Sequence, residues 1–296
     1  MMKTAAAGRD RRLRIKERPI YYFLPAFLVL GILAVYPLLN NLQLSLTAKK
    51  TGAFTLDNYQ RLFKDKQFWN SMQVTLKWVL FTVSMELIMG FLTASLVNIR
   101  APGVNAYRAL MIIPWMTPVI AVCAVWKWMY NGDFGILSQT VNRLLGTDWK
   151  FLSSSSAALY WLGIVTTWKH SPFVMLMMLS GLQGISEDVY EAAKLDGCTG
   201  VRKLFSITLP LMFPVIRSLL LVNIISAMNQ YTTVKTITGG GPARKTQLIQ
   251  LYIYSKGIEA NNFNYGAAAS TAFLVTVLIF AVIYIKVTEK AEEEMY

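Results

Sequence analysis

The chain has 296 residues, of which 54% are hydrophobic, and its mean hydropathy is +0.41. This balance excludes an ordinary soluble domain of that size, because the apolar surface is too large to be covered without lipid. The formal net charge of +13 does not indicate nucleic acid, since no aromatic-basic module accompanies it. We therefore predict an all-α polytopic membrane protein whose surroundings are lipid and which binds no nucleic acid.

Six segments are long and apolar enough to cross the hydrocarbon core, which needs about 20 residues. The predicted spans are residues 20–46, 71–98, 107–130, 157–182, 211–235 and 266–288, so the transmembrane domain covers residues 20–288. Residues 1–19 carry seven Lys or Arg, which favours a cytoplasmic N-terminus. With six spans, the tail at residues 289–296 is then cytoplasmic as well.

Three connecting segments are predicted to lie on the outer side. Residues 47–70 form a small structured element, residues 131–156 a loop with a short helix, and residues 236–265 a flexible loop rich in Gly and Asn. Within the spans, proline removes a backbone hydrogen bond, so we expect kinks at Pro114, Pro118 and Pro172. Whether these kinks are hinges or static bends stays open.

A polar segment, residues 183–210, separates the fourth and fifth spans on the cytoplasmic side. Its first half predicts a short exposed helix, because Ser186 can act as the N-cap and two acidic residues follow it. Gly197 can end that helix in a left-handed conformation. We therefore expect a capped surface helix that is joined to two apolar helices.

The spacing inside this segment is specific and fixes several positions at once: Glu191, Ala192, Ala193, Asp196, Gly197, Ile207, Leu209 and Pro210. It resembles the cytoplasmic coupling loop of ABC-importer permeases. Other stretches, at residues 56–59, 114–118, 126–129 and 239–242, are similar to the carbohydrate-uptake permeases of the maltose and glycerol-phosphate type. Ser186 stands where that family often has proline, which costs little because serine also starts helices well.

The resemblance implies a permease subunit of a binding-protein-dependent importer in the bacterial inner membrane, forming half of a translocation pathway that works by alternating access. The implied partners are a second homologous permease in a heterodimer, two ATPase subunits at the coupling helix, and an extracytoplasmic solute-binding protein. In the family the motif Glu meets the ATPase and the Gly sits at the turn, which gives those roles to Glu191 and Gly197. ATP and Mg would bind in the ATPase, so we expect this chain to bind no cofactor or metal and to be no enzyme.

Polar residues within the spans are candidates for the translocation pathway. In the fifth span, Asn223, Ser226, Gln230 and Thr233 fall on one helical face, and a polar stripe in lipid must face protein or water. Glu86 in the second span should also face the interior, because an ionised carboxyl facing lipid costs about 2.5–3.5 kcal/mol. Hydrogen bonding between helices is the alternative role for these groups. The single histidine, His170, is expected to be a structural hydrogen-bonding partner.

Two further points stay open from the sequence. A secondary, ion-coupled carrier is the alternative class, although such carriers need intramembrane carboxylates and only Glu86 qualifies here. The solute is a sugar, an oligosaccharide or a related polar molecule. Basic residues in the outer segments raise the prospect of an anionic sugar but could equally be solvated loops: Lys49, Lys50, Lys64, Lys66, Arg244 and Lys245.

Overall fold

The computed structural model describes residues 20–99, 101–153 and 157–293, and all regular elements in this part of the chain are helical. The predicted basic N-terminus at residues 1–19 lies outside the described residues. The α-helices are α1 (Ile20–Leu30), α2 (Tyr36–Ser45), α3 (Asp57–Lys64), α4 (Lys66–Val97), α5 (Val104–Met116), α6 (Val119–Met129), α7 (Ile136–Leu145), α8 (Ala158–Gln183), α9 (Glu187–Leu195), α10 (Gly200–Lys203), α11 (Leu209–Leu211), α12 (Phe213–Met228), α13 (Thr232–Ile237), α14 (Ile249–Tyr254) and α15 (Phe263–Glu293). Three π-helical turns, at Gly31–Val35, Leu204–Thr208 and Ser255–Glu259, join consecutive helices. The prediction of an all-α protein is confirmed.

Four helical stretches in the described part of the chain are long and apolar enough to cross a membrane: Tyr22–Ser45, Lys66–Val97, Phe213–Ile237 and Phe263–Lys290. Helices α5 and α6 add a fifth if that bent pair is one span. Helix α8, at the fourth predicted span, has 26 residues and is about 39 Å long at 1.5 Å per residue. Its apolar run is interrupted at Lys169, His170 and Ser171, so the sixth span stays a prediction.

The third predicted span is broken rather than continuous. Helix α5 ends at Met116, Thr117 and Pro118 adopt extended ψ angles of 135° and 133°, and α6 then leaves at 90° to α5. The residue before a proline avoids the helical region, which explains the break at Thr117. The expected kink at Pro118 is therefore a full break, whereas α8 continues as one helix through Pro172.

Helices α4 and α8 form the central packing pair, and glycines allow their close approach. A Cβ atom added at Gly90 of α4 would lie 2.4 Å from Val174 Cγ1 of α8. One added at Gly163 of α8 would lie 2.5 Å from the ring of Phe81 of α4. Small residues at helix contacts in membranes let backbones pack closely, so these two positions fix how α4 and α8 sit together.

An acidic residue that caps α4 joins the N-terminal end of that helix to α14 and α15. Asp65 accepts hydrogen bonds from the Gln67 backbone N–H at 2.7 Å, from Tyr252 Oη at 2.8 Å and from Tyr265 Oη at 3.2 Å. Its Oδ2 atom also lies 3.6 Å from Lys256 Nζ. Burial raises the pKa of the Asp65 carboxyl, but these hydrogen bonds and the ammonium outweigh burial and hold that pKa below its ordinary value.

The segment at residues 236–265 was expected to be a flexible loop, and that expectation is wrong. Thr246, Leu248 and Tyr252 have no exposed surface. The Ile249 backbone N–H, at the start of α14, donates a buried hydrogen bond of 2.9 Å to Thr75 Oγ1 of α4. Tertiary contacts that the Gly and Asn composition does not reveal therefore fold this segment onto the bundle. The short helix predicted within residues 131–156 is present as α7.

We predict that Gly90→Ala destabilises the bundle by about 1–3 kcal/mol, the usual cost of overpacking a tight contact. The reason is that the new methyl group would meet both Val174 Cγ1 and Val174 Cβ, the latter at 2.7 Å. Thermal unfolding of the solubilised protein measures the effect, and Val174→Ala in the same chain should restore only part of the stability, because it removes Cγ1 but keeps Cβ. Gly31→Ala is the matched control, because nothing lies within 4 Å of its added Cβ. Equal stability of the Gly90 and Gly31 variants would contradict the close approach.

We predict that Asp65→Asn lowers stability at neutral pH by about 1–3 kcal/mol, because charge-assisted hydrogen bonds from two tyrosines are lost. Since the folded-state pKa of Asp65 is depressed, its contribution is full above the unfolded pKa of about 3.9 and is lost as pH falls through the lower folded value. The difference in unfolding temperature between wild type and variant should therefore shrink below about pH 4. Asp133→Asn, whose side chain is 84% exposed, should show no such difference at any pH.

Candidate functional sites

The first candidate site is the predicted surface helix, which the structure places at α9. Ser186 occupies the N-cap position with ψ 146°, although its hydroxyl makes no capping hydrogen bond. Glu187 and Asp188 lie in the first turn, where negative charge favours the helix dipole. The helix therefore begins where the sequence indicates, stabilised by charge and chain geometry rather than by a bond from the serine side chain.

The end of α9 follows the predicted glycine. Gly197 has φ +73°, which is the left-handed region that glycine adopts without strain. The Cys198 N–H donates to the Ala193 carbonyl at 2.8 Å and the Gly197 N–H donates to the Lys194 carbonyl at 3.2 Å. This pair of bonds is a Schellman motif, which satisfies the last carbonyl groups of the helix. The predicted left-handed end at Gly197 is confirmed.

The motif residues divide into an exposed set and a packed set. Exposed to solvent are Glu191, Ala192, Asp196, Gly197 and Pro210. Ala193 is buried, and Ile207 and Leu209 are half-buried. One face of the segment is therefore held by the bundle while the other stays open for contact.

Three exposed apolar side chains on the same segment were not singled out from the sequence. Leu195 is 89% exposed, Val201 71% and Phe205 65%. Apolar residues inside an otherwise polar connection were the available signal, since large exposed hydrophobic groups often mark a contact surface. We call residues 183–210 the coupling segment, after the loop that they resemble, and Leu195, Val201 and Phe205 its apolar edge.

Polar contacts within the coupling segment join α9 to the residues that lead into α12. Tyr190 Oη and Thr208 Oγ1 share a hydrogen bond of 3.4 Å, and the Lys203 ammonium lies 5.1 Å from the centre of the Tyr190 ring. A cavity of about 1010 Å³ separates this region from the ends of α4 and α5. Arg108 lines that cavity and donates to the Val97 carbonyl at 2.6 Å.

The second candidate site is the predicted polar stripe, which the structure divides. Asn223 is buried and its Nδ2 atom has no hydrogen-bond partner among the described residues, whereas Ser226 is exposed. Helix α12 ends at Met228 and α13 starts at Thr232, so Gln230 lies in the interruption between them rather than on a helical face. The stripe therefore does not form one continuous surface on this chain.

Glu86 lies inside the bundle, as the sequence predicts. Its side chain is 4% exposed and lies on α4, within the stretch that packs against α8. Among the described residues, no donor within hydrogen-bond distance and no cation pairs with its carboxyl group. The structure thus places Glu86 away from lipid, and its role as pathway residue or helix contact stays a prediction.

A polar cavity lies beside the break in the third predicted span. Its volume is about 220 Å³, and it brings together Gln230 and Thr233 with Thr166, Lys169 and His170. Of the predicted pathway residues, Glu86, Asn223 and Ser226 do not line it. Sequence reasoning passed over Lys169 as a site residue, although a cation within an apolar span was a signal of function. No group of three His, Cys, Asp or Glu side chains in the described ranges could hold a metal ion.

The sequence of this chain is similar to a known protein family and to individual transport proteins. Residues 86–288 match the family described as binding-protein-dependent transport system inner membrane component. The trehalose/maltose transport system permease protein MalF of Thermococcus litoralis is 32% identical over 283 residues, covering 93% of this chain and 96% of that protein. The sulfoquinovosyl glycerol transport system permease protein SmoG of Agrobacterium fabrum is 30% identical over 269 residues, covering 89% and 87%.

A solved structure supports the same fold. It is a bacterial alginate ABC transporter in complex with an alginate pentasaccharide-bound periplasmic protein, and one of its chains matches with a TM-score of 0.82 and 18% identity. The match covers 92% of this chain and 94% of that chain. The family match over residues 86–288 shows that the chain belongs to the family of inner membrane components of binding-protein-dependent transport systems.

Proposed function

We propose that this chain is the permease subunit of an ATP-driven importer and forms half of the translocation pathway for a sugar, an oligosaccharide or a related polar solute, including an anionic one. The family match and the two permease relatives, one for trehalose/maltose and one for sulfoquinovosyl glycerol, support this function. The observation that carries it is the exposed helix α9, which presents Glu191 and Gly197 on a capped, rigid element.

The proposal includes a topology. The protein is multi-pass, and we assign six spans, with α8 as the fourth and the bent pair α5 and α6 as the third. Both termini and α9 then lie on the cytoplasmic side of a bacterial inner membrane. Helix α15 runs through to Glu293 without a break, so the last span continues as a helix into the described part of the tail.

The partners follow from the surfaces that this chain leaves open. A second, homologous permease would complete the pathway, an extracytoplasmic binding protein would deliver the solute, and two ATPase subunits would hold ATP and Mg. Glu191 is exposed for contact with polar or basic groups of an ATPase. The apolar edge lies on the same segment and supplies apolar surface for that contact, since interface cores favour such residues.

The mechanism is alternating access driven through α9. Closure of the ATPases moves α9 as a rigid body, because its two ends are fixed by first-turn acids and by the Schellman motif. The motion would reach α8 through the three residues that join it to α9, and α12 through the contact between Tyr190 and Thr208. Nucleotide binding to the ATPases and solute binding to the permease then shift the same equilibrium between the two alternating-access states.

A secondary carrier is not favoured. Such a carrier couples transport to ions through intramembrane carboxylates, and Glu86 is the one such residue in the predicted spans. The family consists of components that act with binding proteins, which ion-coupled carriers of this kind do not need. Uptake that requires ATP and the ATPase subunits, and that persists without an ion gradient, distinguishes the two classes.

We predict that Gly197→Val uncouples ATP hydrolysis from uptake while leaving membrane insertion intact. A β-branched residue is strained at φ +73°, so the end of α9 must shift although nothing lies within 4 Å of the new Cβ. The ratio of solute uptake to ATP hydrolysis in proteoliposomes should fall by about tenfold or more, which corresponds to a loss of about 1.4 kcal/mol in the coupling free energy.

Two variants control for general destabilisation. Gly146 ends α7 with φ +63° and also has open space around its Cβ, so Gly146→Val carries the same local strain outside the coupling segment. Coupling should stay intact in that variant. Gly197→Asn should couple normally, because asparagine tolerates the left-handed region. Normal uptake and solute-stimulated hydrolysis in Gly197→Val would refute the proposed coupling role.

We predict that the native cysteines report the topology. Cys198 follows α9 and is half-buried, whereas Cys123 is fully buried on α6. A membrane-impermeant maleimide should label inside-out vesicles but not intact cells, and Cys198→Ser should remove that labelling while Cys123→Ser keeps it. Labelling after solubilisation confirms that the thiol is reactive. Labelling of intact cells at Cys198 would place α9 outside and exclude the coupling role.

A further inference from the structure

A lysine within the fourth predicted span is held beside the break in the third. Lys169 of α8 donates hydrogen bonds to the Trp115 carbonyl at 3.0 Å and to the Thr117 carbonyl at 2.8 Å. These carbonyl groups lie at the C-terminal end of α5, where the helix has no further backbone donors. An ammonium group has three donors, so one remains beyond these two bonds.

The positive charge of Lys169 has no carboxylate partner among the described residues. Three other lysines in these ranges pair with acids, whereas Lys49 and Lys127, like Lys169, donate to backbone carbonyl groups; the pairs are Lys150 with Asp133, Lys235 with Glu259 and Lys256 with Asp65. The two carbonyl groups at Lys169 carry partial charge and leave its formal charge uncompensated. Charged groups inside membrane spans are costly and usually serve a substrate or an ion, so this one indicates an anionic ligand.

The cavity that Lys169 lines offers further donors and no acid. Thr166 is 5% exposed, and its Oγ1 atom has no hydrogen-bond partner among the described residues. The Gln230 side-chain carbonyl accepts from the Tyr231 N–H at 3.1 Å, which leaves its amide donors for other contacts. Thr232, Thr233 and His170 also line the cavity, and three valines, Val119, Val122 and Val165, form the apolar part of its wall. A buried hydroxyl without a partner is expensive unless a ligand or water satisfies it.

The outer surface of the protein is also positive. Lys49, Arg61, Lys64 and Lys256 surround an open outer cavity of about 530 Å³, in which Asp65 is the only acidic residue lining it within the described chain. Asp65 pairs with Lys256, and the other three cations lining the cavity leave this surface with a net positive charge. A surface of one sign raises the local concentration of oppositely charged ligands.

We propose that the cavity beside Lys169 binds the anionic group of the transported solute, a carboxylate, sulfonate or phosphate, and that Lys169 determines specificity for it. The inference rests on the proposed importer function and names the solute class. A volume of about 220 Å³ is smaller than ligand pockets of about 300–1,000 Å³, so the cavity accommodates one charged group while the second permease covers the rest of the sugar. The anion would take the free donor of Lys169 and the Thr166 hydroxyl.

The deciding experiment compares two probes that differ only at one carbon. The assembled importer in nanodiscs is titrated with methyl β-D-glucuronide and with methyl β-D-glucoside, following tryptophan emission, because Trp115 and Trp168 adjoin Lys169. Wild type should bind the acid about tenfold more tightly, and Lys169→Met should remove the difference. Lys169→Arg, which keeps the charge, should retain a preference for the acid.

Lys127→Met is the matched control. Lys127 donates to the Thr236 carbonyl at 3.2 Å in the same manner but does not line the cavity, so its loss should leave the preference unchanged. Equal affinity for both probes, no response of wild type to the acid, or an unchanged preference in Lys169→Met would overturn the inference. If Lys169→Met fails to assemble, sulfate competition in wild type decides: sulfate should displace the glucuronide, and failure to do so overturns the proposal.

A measurement of ATP-driven uptake in the presence of the binding protein distinguishes a failure of this inference from a failure of the proposed function. Binding-protein ligands taken from a host extract are identified by mass, and their uptake is measured with wild-type importer. No ATP-dependent uptake of any of them would contradict the importer function itself. Active uptake of neutral sugars alone would leave the importer function standing and overturn only the role of Lys169.

Discussion

The close contact between α4 and α8 is the constraint on which the rest of this bundle depends. Gly90 and Gly163 leave no room for a side chain between the two helices, so α4 and α8 must move together or not at all. Helix α8 leads directly into the coupling segment at one end and carries Lys169 in its middle. In the proposed mechanism, motion of α9 therefore reaches the same helix that lines the cavity beside Lys169.

The coupling segment combines a rigid helix with an exposed contact surface. Its ends are fixed locally, by acids in the first turn and by the bonds that Gly197 permits, so its shape does not depend on a partner. Its packed residues, Ala193 among them, fasten it to the bundle, whereas Glu191 and the apolar edge remain open. This division suits an element that transmits a force from a partner protein to the bundle, because one face packs against the bundle and the other is open for contact with the partner.

Local features were predictable and long-range ones were not. The bounds of α9 and the left-handed Gly197 follow from residues within one helical turn, and the structure confirms them. The stripe from Asn223 to Thr233 assumed one unbroken helix, but α12 ends at Met228 and α13 begins at Thr232, and an interruption of the helical repeat alters which residues share a face. The packing of residues 236–265 depends on partners such as Thr75, nearly two hundred positions earlier in the chain, which no local pattern encodes.

The geometry at Lys169 connects solute recognition to the shape of the third span. The same ammonium that would hold an anion also holds the carbonyl groups of Trp115 and Thr117, at the point where α5 ends and α6 turns away. An anion that draws the ammonium toward the cavity weakens its bonds to those carbonyls, so occupancy and the bend between α5 and α6 are thermodynamically linked. Linkage is reciprocal, so a straightened break would hold the anion more tightly, and a conformation that restores both carbonyl bonds to Lys169 would release it. In an importer, that coupling would let one side chain both select the solute and help to discharge it.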